Sequence, residues 1–231
     1  MFCSSSIQKV KSKKIFALEG NIGAGKTTIL KIIGKNFSDV EFVEEPVKDW
    51  QNLGGMNLLE SFYSDPKRWG FSFEFYSMLT KIQALLKAAE SDKPIIIIER
   101  SILSNKIFMD LSEELGKLDK MEYNMLINTY NFYLQYIYPQ LSGIIYLDTP
   151  VDECINRITK RNRGEECSIE KSYLIKIKEK LDQLADSSTM IVIRINGIYD
   201  FKRDANRICD DILSYLHPNQ SPKAALNYDE I

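Results

Sequence analysis

Gly20-Asn21-Ile22-Gly23-Ala24-Gly25-Lys26-Thr27 fits the pattern G-x-x-x-x-G-K-[ST] and directly follows Lys14-Ile15-Phe16-Ala17-Leu18, an apolar run that reads as a buried strand. Glycines at 20, 23 and 25 let the backbone turn tightly and aim its N–H groups inward. There, together with the positive end of the following helix, they hold a polyphosphate. Lys26 is placed to reach the outer phosphates and the Thr27 hydroxyl to ligate Mg²⁺. A Gly-rich turn that binds nothing is the bland alternative, and the strand before and helix after argue against it.

Outward from this cradle the chain alternates. Residues 26–35 read as a helix with Ile29, Leu30, Ile32 and Ile33 inward, and residues 40–43 as a short strand leading into Glu44-Glu45-Pro46. Pro66-Lys67-Arg68-Trp69 reads as a break. Residues 71–89 form a long amphipathic helix whose exposed face carries Lys81 and Lys87. Ile95-Ile96-Ile97-Ile98 is a continuous β-branched run typical of a parallel strand covered on both faces, and its end delivers Glu99-Arg100-Ser101. Helices over 103–115 and 120–138, a strand over 143–147, a helix from Pro150 toward a basic cluster, a helix over 170–185, a strand over 190–195 and a helix over 201–216 complete the pattern. Five strands separated by helices mean an α/β fold with a five-stranded parallel sheet and right-handed crossovers. The aromatic run Tyr123, Tyr130, Phe132, Tyr133, Tyr136 reads as core or interface, with core preferred.

Composition sets bounds. The 231 residues suit one α/β domain; 44% hydrophobic and 27% charged residues are ordinary for a globular protein. A formal net charge of −2 offers no broad basic surface, so no nucleic-acid or membrane partner is expected. Cys3, Cys154, Cys167 and Cys209 form no C-x-x-C pair, which favours reduced thiols and a cytoplasmic setting. Residues 1–13 read as a disordered leader and residues 217–231 as a disordered tail.

In doubly wound sheets ligands sit at the carboxyl ends of strands. The cradle, Glu44-Glu45 and Glu99-Arg100 all fall at such ends, which indicates a site for a nucleotide polyphosphate, Mg²⁺ and an acceptor. Gly20 through Thr28, Glu45-Pro46-Val47 with Trp50, Pro66-Lys67-Arg68-Trp69 followed by Phe73 and Tyr76, Glu99-Arg100-Ser101, and Arg157 through Arg163 followed by Glu165-Glu166 together resemble the deoxynucleoside kinases, on their deoxycytidine/deoxyguanosine kinase branch. The resemblance spans residues 14–216 and implies a P-loop kinase fold with an Arg-rich lid. It also implies transfer of the ATP γ-phosphoryl to the 5′-hydroxyl of a deoxynucleoside in nucleotide salvage, usually by a homodimer.

The same resemblance implies roles. Glu45 lies beside the 5′-hydroxyl as base, Arg100 bridges it to the phosphoryl group, and Glu99 helps hold Mg²⁺. Whether Glu45 or Glu99 takes the proton stays open. Arg157, Arg161 and Arg163 form the lid over the phosphates, Tyr63 and Glu166 meet the sugar 3′-hydroxyl, and Asp200-Phe201 lies against the adenine. The family reads the base with a Gln, an Arg seven residues later and an Asp after Glu-Arg-Ser, where this chain has Glu74, Lys81 and Asn105. Seven residues are about two helical turns, so Glu74 and Lys81 share a face. An ionised carboxylate only accepts hydrogen bonds, which shifts the expectation from a deoxycytidine default toward the two adjacent N–H groups of guanine, so the acceptor is deoxycytidine or a purine deoxynucleoside. A nucleoside monophosphate kinase is the rival enzyme, although Glu45 would repel an acceptor phosphate. A regulatory nucleotide-binding subunit is the rival from another class, although it would not need Lys26, Glu45, Glu99 and Arg100 together.

Overall fold

The computed structural model describes residues 4–201 and 203–216; the tail read as disordered lies outside the described residues. Strands β1 (Lys14–Gly20), β2 (Val40–Val43), β3 (Ile95–Glu99), β4 (Gly143–Asp148) and β5 (Ile191–Asn196) make one all-parallel sheet in the order β2-β3-β1-β4-β5. The five-stranded parallel sheet expected from the alternation is present. Parallel pairing needs a crossover after each strand, and helices supply it. They are α1 (Ser4–Lys11), α2 (Lys26–Gly34), α3 (Val47–Gln51), α4 (Leu58–Ser64), α5 (Pro66–Ala88), α6 (Ile102–Glu114), α7 (Lys120–Phe132), α8 (Val151–Arg161), α9 (Lys171–Ser187) and α10 (Ala205–Leu216).

The strands bury both faces, which is why they read as unbroken apolar runs. Phe16, Leu18, Ile97, Ile145 and Leu147 pack under α2 and α10 with Ile29, Ile33, Ile208 and Ile212. Ile15, Ala17, Ile96 and Ile98 face the opposite way, against Met78, Ile82 and Leu85 of α5 and Met109 of α6. Ile144 and Tyr146 extend that second layer against Leu111 of α6 and Leu174 and Ile177 of α9. The direction of winding reverses at β1, which lies between β3 and β4, so the crevice at its carboxyl end is the expected ligand site.

Three expectations are corrected. Within the stretch read as a disordered leader, Ser4–Lys11 is helical; Val10 is fully buried beside Ile15 and Ile82, and Ser6 and Lys9 bond to Glu90. Pro66-Lys67-Arg68-Trp69 is no break but the first turn of α5, because proline suits the first helical position and the Asp65 carboxylate accepts from the Arg68 N–H at 3.2 Å. Lys81 is buried, at 8% exposure, rather than on a solvated face. Glu74, Ser77 and Lys81 form a polar stripe on α5 beside the apolar stripe of Met78, Ile82 and Leu85. The second helix of the pair after β3 ends in a wider π turn, Tyr133–Ile137. Tyr130 and Tyr133 are core, whereas Phe132 and Tyr136 are more than half exposed.

Candidate active site

The cradle forms as the spacing requires. Gly23 has φ +76° and a Cβ there would sit 2.5 Å from the Cys154 carbonyl oxygen, so this position needs glycine on two counts; Gly25, at φ +101°, is the N-cap of α2. Asn21 pins the loop by donating to the Leu174 carbonyl and accepting from the Ile22 N–H, both at 2.8 Å. Lys26 is folded back onto the Gly20 and Asn21 carbonyls at 3.1 and 2.8 Å. Burial is the main reason its pKa falls to about 8, and the Arg100 charge adds to it. Ala24 is fixed through its carbonyl, which accepts from Thr149 at 3.1 Å and Arg157 at 2.6 Å.

A cavity of about 520 Å³ opens from this loop between α3, α4, α5 and the segment after α8. Ile22, Gly23, Lys26, Thr27, Glu45, Tyr63, Glu74, Lys81, Glu99, Arg100, Asn105, Arg161, Arg163 and Glu166 of the expected set all line it. Thr28 is exposed on the first turn of α2 and lies outside the lining. Arg157 is also outside it: its guanidinium donates to the Ala24 and Gly197 carbonyls and stacks over the Phe201 ring at 4.8 Å. Phe201 is buried at the back of the cradle, and Asp200 accepts from the Arg203 N–H in the turn before α10. Arg157 and Phe201 brace the phosphate loop from behind.

At the centre, Arg100 is 4% exposed and its Nε lies 3.4 Å from Glu45 Oε2, while its Nη1 is buried with no hydrogen-bond partner. Its φ is +57°, a left-handed conformation costly for any residue but glycine. Neighbours in the fold hold it there: the Arg100 N–H donates to the Leu18 carbonyl at 3.0 Å, and Ser101 donates through its N–H and Oγ to Glu19 at 2.9 and 2.6 Å. Ser104 also donates to Glu19. Glu19 is thus a buried anchor that the sequence reading missed, although a lone carboxylate inside the apolar run of β1 was visible.

Lys81 lies 3.4 Å from Glu45 Oε1 and donates to Asn105 Oδ1 at 3.2 Å. Burial alone would push the Glu45 carboxyl up, but Arg100, Lys81 and Lys26 outweigh it and hold the group below the usual carboxylate range. Glu99 is raised, by burial first and by its neighbour Glu45. Two carboxylates pushed apart in this way suit different tasks. Thr27 Oγ1 donates to both Glu99 oxygens at 2.9 Å, so a hydroxyl and a carboxylate converge on one point. Among the described residues no cluster of three or more His, Cys, Asp or Glu could cage a metal. A hard-oxygen pair of this kind fits Mg²⁺, which keeps waters and phosphate oxygens as its remaining ligands.

The cavity wall carries Trp50, whose Nε1 donates to Thr80 at 2.9 Å, and Phe73, stacked on Phe62 at 4.5 Å. Burial and the nearby Glu166 charge push Tyr63 above its ordinary pKa, so it is a hydroxyl. Arg161 and Arg163 both pair with Glu166, which is 4% exposed. Glu165, beside it, accepts from Gln51 and Asn57 at 2.8 Å each and ties the lid segment to the α3 and α4 wall. Nothing in the spacing of Gln51 and Asn57 announced that role.

A phosphate-loop seat and a carboxylate flanked by two cations in the adjoining cavity fit a phosphotransferase acting on an alcohol. Residues 16–217 match the family model described as deoxynucleoside kinase. The chain belongs to the deoxynucleoside kinase family. It is similar to a probable deoxycytidine kinase of Fowlpox virus (strain NVSL), 32% identical over 89% of this chain and 90% of the relative. Deoxycytidine kinase 2 of Gallus gallus is 30% identical over 92% and 93% of the two chains, and the mitochondrial deoxyguanosine kinase of Xenopus laevis 30% over 76% and 74%. This deoxynucleoside kinase is therefore an ATP-dependent enzyme. No helix among the described residues is long and apolar enough to cross a membrane.

Proposed function

We propose that this kinase transfers the γ-phosphoryl of ATP, with Mg²⁺, to the 5′-hydroxyl of deoxyguanosine in preference to the other deoxynucleosides, with deoxycytidine or deoxyadenosine as secondary acceptors. Arg100 carries the reading: it lines the cavity with Lys26 and Thr27, pairs through Nε with Glu45, and keeps a buried Nη1 that has no hydrogen-bond partner. A desolvated guanidinium with a free edge is suited to a phosphoryl group that gains charge during transfer.

In this mechanism the loop N–H groups and Lys26 seat the outer phosphates. Glu45, kept ionised by Arg100 and Lys81, accepts a hydrogen bond from the 5′-hydroxyl and takes its proton late in transfer. Thr27 and Glu99 are the residues that would hold Mg²⁺, which would supply charge neutralisation at the phosphates. Arg161 and Arg163 close on the phosphates from above, while Tyr63 and Glu166 position the sugar. At the far end Glu74 accepts from the two N–H groups of guanine, and Lys81 and Asn105 lie near its carbonyl.

The active form is a homodimer in a reducing, cytoplasmic compartment. Met121, Met125, Phe132 and Tyr136 recur on one side of α7 and its π turn with exposures of 74, 52, 52 and 54%, an apolar stripe suited to a second copy. Among the described residues the three cysteines are free thiols. The deciding experiment measures kcat/KM for the four deoxynucleosides and their monophosphates with ATP and Mg²⁺ at pH 7.5. Deoxyguanosine should be best; a monophosphate or thymidine as best acceptor would refute the assignment.

A further inference from the structure

The polar groups at the Glu74 end of the cavity come mainly from α5 and α6. Glu74, Ser77 and Lys81 come one turn apart on α5, and Asn105 faces them from α6. Asn105 is fixed through both ends of its amide, donating to Ser77 Oγ at 2.8 Å and accepting from Lys81 at 3.2 Å. Lys81 in turn is directed at Glu45 on the transfer side of the cavity. Glu74, only 1% exposed, has no cation within 4 Å among the described residues. The charged and titratable groups that face it are Lys81 on its own helix, Lys117 from the segment between α6 and α7, and the Tyr173 hydroxyl from α9, with the Asn105 amide beside it. Two lysines at longer range do not offset the loss of water.

We propose that Glu74 reads the base in two protonation states, accepting from the adjacent N–H groups of guanine when ionised and pairing with cytosine or adenine when protonated. A carboxylic acid offers one O–H donor and one carbonyl acceptor, the same complement as an amide. Cytosine and adenine each present an amino donor next to a ring-nitrogen acceptor, which matches that complement. Guanine presents two donors in a row, which matches the carboxylate. The charge arrangement places the change within reach: burial, only partly opposed by Lys81, the Asn105 hydrogen bond and Lys117, lifts Glu74 to about 7.

The proposal rests on the reading that Glu74 faces the base, and it is tested by a ratio. Any group that serves every acceptor alike, Glu45 and the phosphate seat included, cancels when kcat/KM for deoxyguanosine is divided by that for deoxycytidine. Between about pH 6 and about pH 8 the ionised fraction of a group titrating near 7 rises from roughly one-tenth to roughly nine-tenths. The ratio should therefore rise by at least about tenfold in the native enzyme and stay flat in Glu74→Gln, with the variant fixed on the deoxycytidine side. A flat ratio in the native enzyme overturns the proposal, and so does the same rise persisting in Glu74→Gln.

Binding heats of the native enzyme in buffers of different ionisation enthalpy give a check that needs no variant. Near pH 7 deoxyguanosine binding should release protons and deoxycytidine binding should take them up; equal proton exchange for the two nucleosides would overturn the proposal. Deoxycytidine preferred at every pH would remove the acceptor preference proposed above, while a ratio that still climbed with pH would sustain the present inference.

Discussion

Replacing Glu74 by Gln should stabilise the folded protein, by an amount that depends on pH in a defined sense. The carboxyl is raised from the ordinary 4.5 to about 7, with burial the largest cause. A folded-state pKa above the unfolded one means that the folded protein binds more protons between these values, so stability is lost as pH rises through that window. The full penalty is present above about pH 7 and absent below about pH 4.5. The separation corresponds to on the order of 3 kcal/mol. For a chain of this length that is a shift of about 6–12 °C in Tm. Glutamine keeps the shape and never ionises. Thermal unfolding of both proteins should show a Tm gap in favour of Glu74→Gln at pH 8 that closes by that amount as pH falls to 4.5. A constant offset set by the new amide can be added to both ends without affecting the comparison. A gap that is equal at pH 8 and pH 4.5 would show that the buried carboxylate carries no penalty, and would refute the reasoning.

Removing the free edge of Arg100 with Arg100→Gln should lower kcat by about 10²–10³, the range for loss of one preorganised donor to a developing anion, with a smaller change in the KM for nucleoside; steady-state kinetics at saturating ATP would check it. Glu19→Ala leaves the Ser101 N–H and the Ser101 and Ser104 hydroxyls without their acceptor. It should cost about 1–3 kcal/mol in denaturant unfolding and reduce kcat as well, because Arg100 loses its anchored neighbour. Val10→Asp buries a charge under α1 and should lower Tm by several degrees while kcat in the surviving folded enzyme stays within about twofold.

The sheet was legible because parallel strands buried on both faces leave uninterrupted apolar runs, and Ile95 to Ile98 left little choice. The phosphate loop was legible for a related reason, since three glycines, a lysine and a threonine at fixed spacing serve no ordinary packing purpose. Lys81 was misread because helical periodicity records polarity but not depth. A lysine seven residues from a glutamate looks like a solvated pair until another carboxylate, Glu45 from the end of β2, is seen on the far side of the same ammonium. Pro66 looked like a stop because a proline breaks a helix in its interior and starts one at its first turn, and Asp65 decides between the two. Residues 4–11 carry too few apolar positions to announce a helix, and Val10 becomes informative only once its pocket beside β1 exists. The contacts of Gln51 and Asn57 with Glu165 join residues more than a hundred positions apart, beyond the reach of any local pattern.

Strand β1 supports both halves of the reaction. Gly20 at its end opens the phosphate loop, and its preceding two residues hold the neighbouring strand's exit, Leu18 through its carbonyl to Arg100 and Glu19 through its carboxylate to Ser101. The backbone at the exit of β3 and the start of the phosphate loop are thereby fixed to one short segment, so that a displacement of Leu18 or Glu19 would be felt at Arg100 and at the loop together.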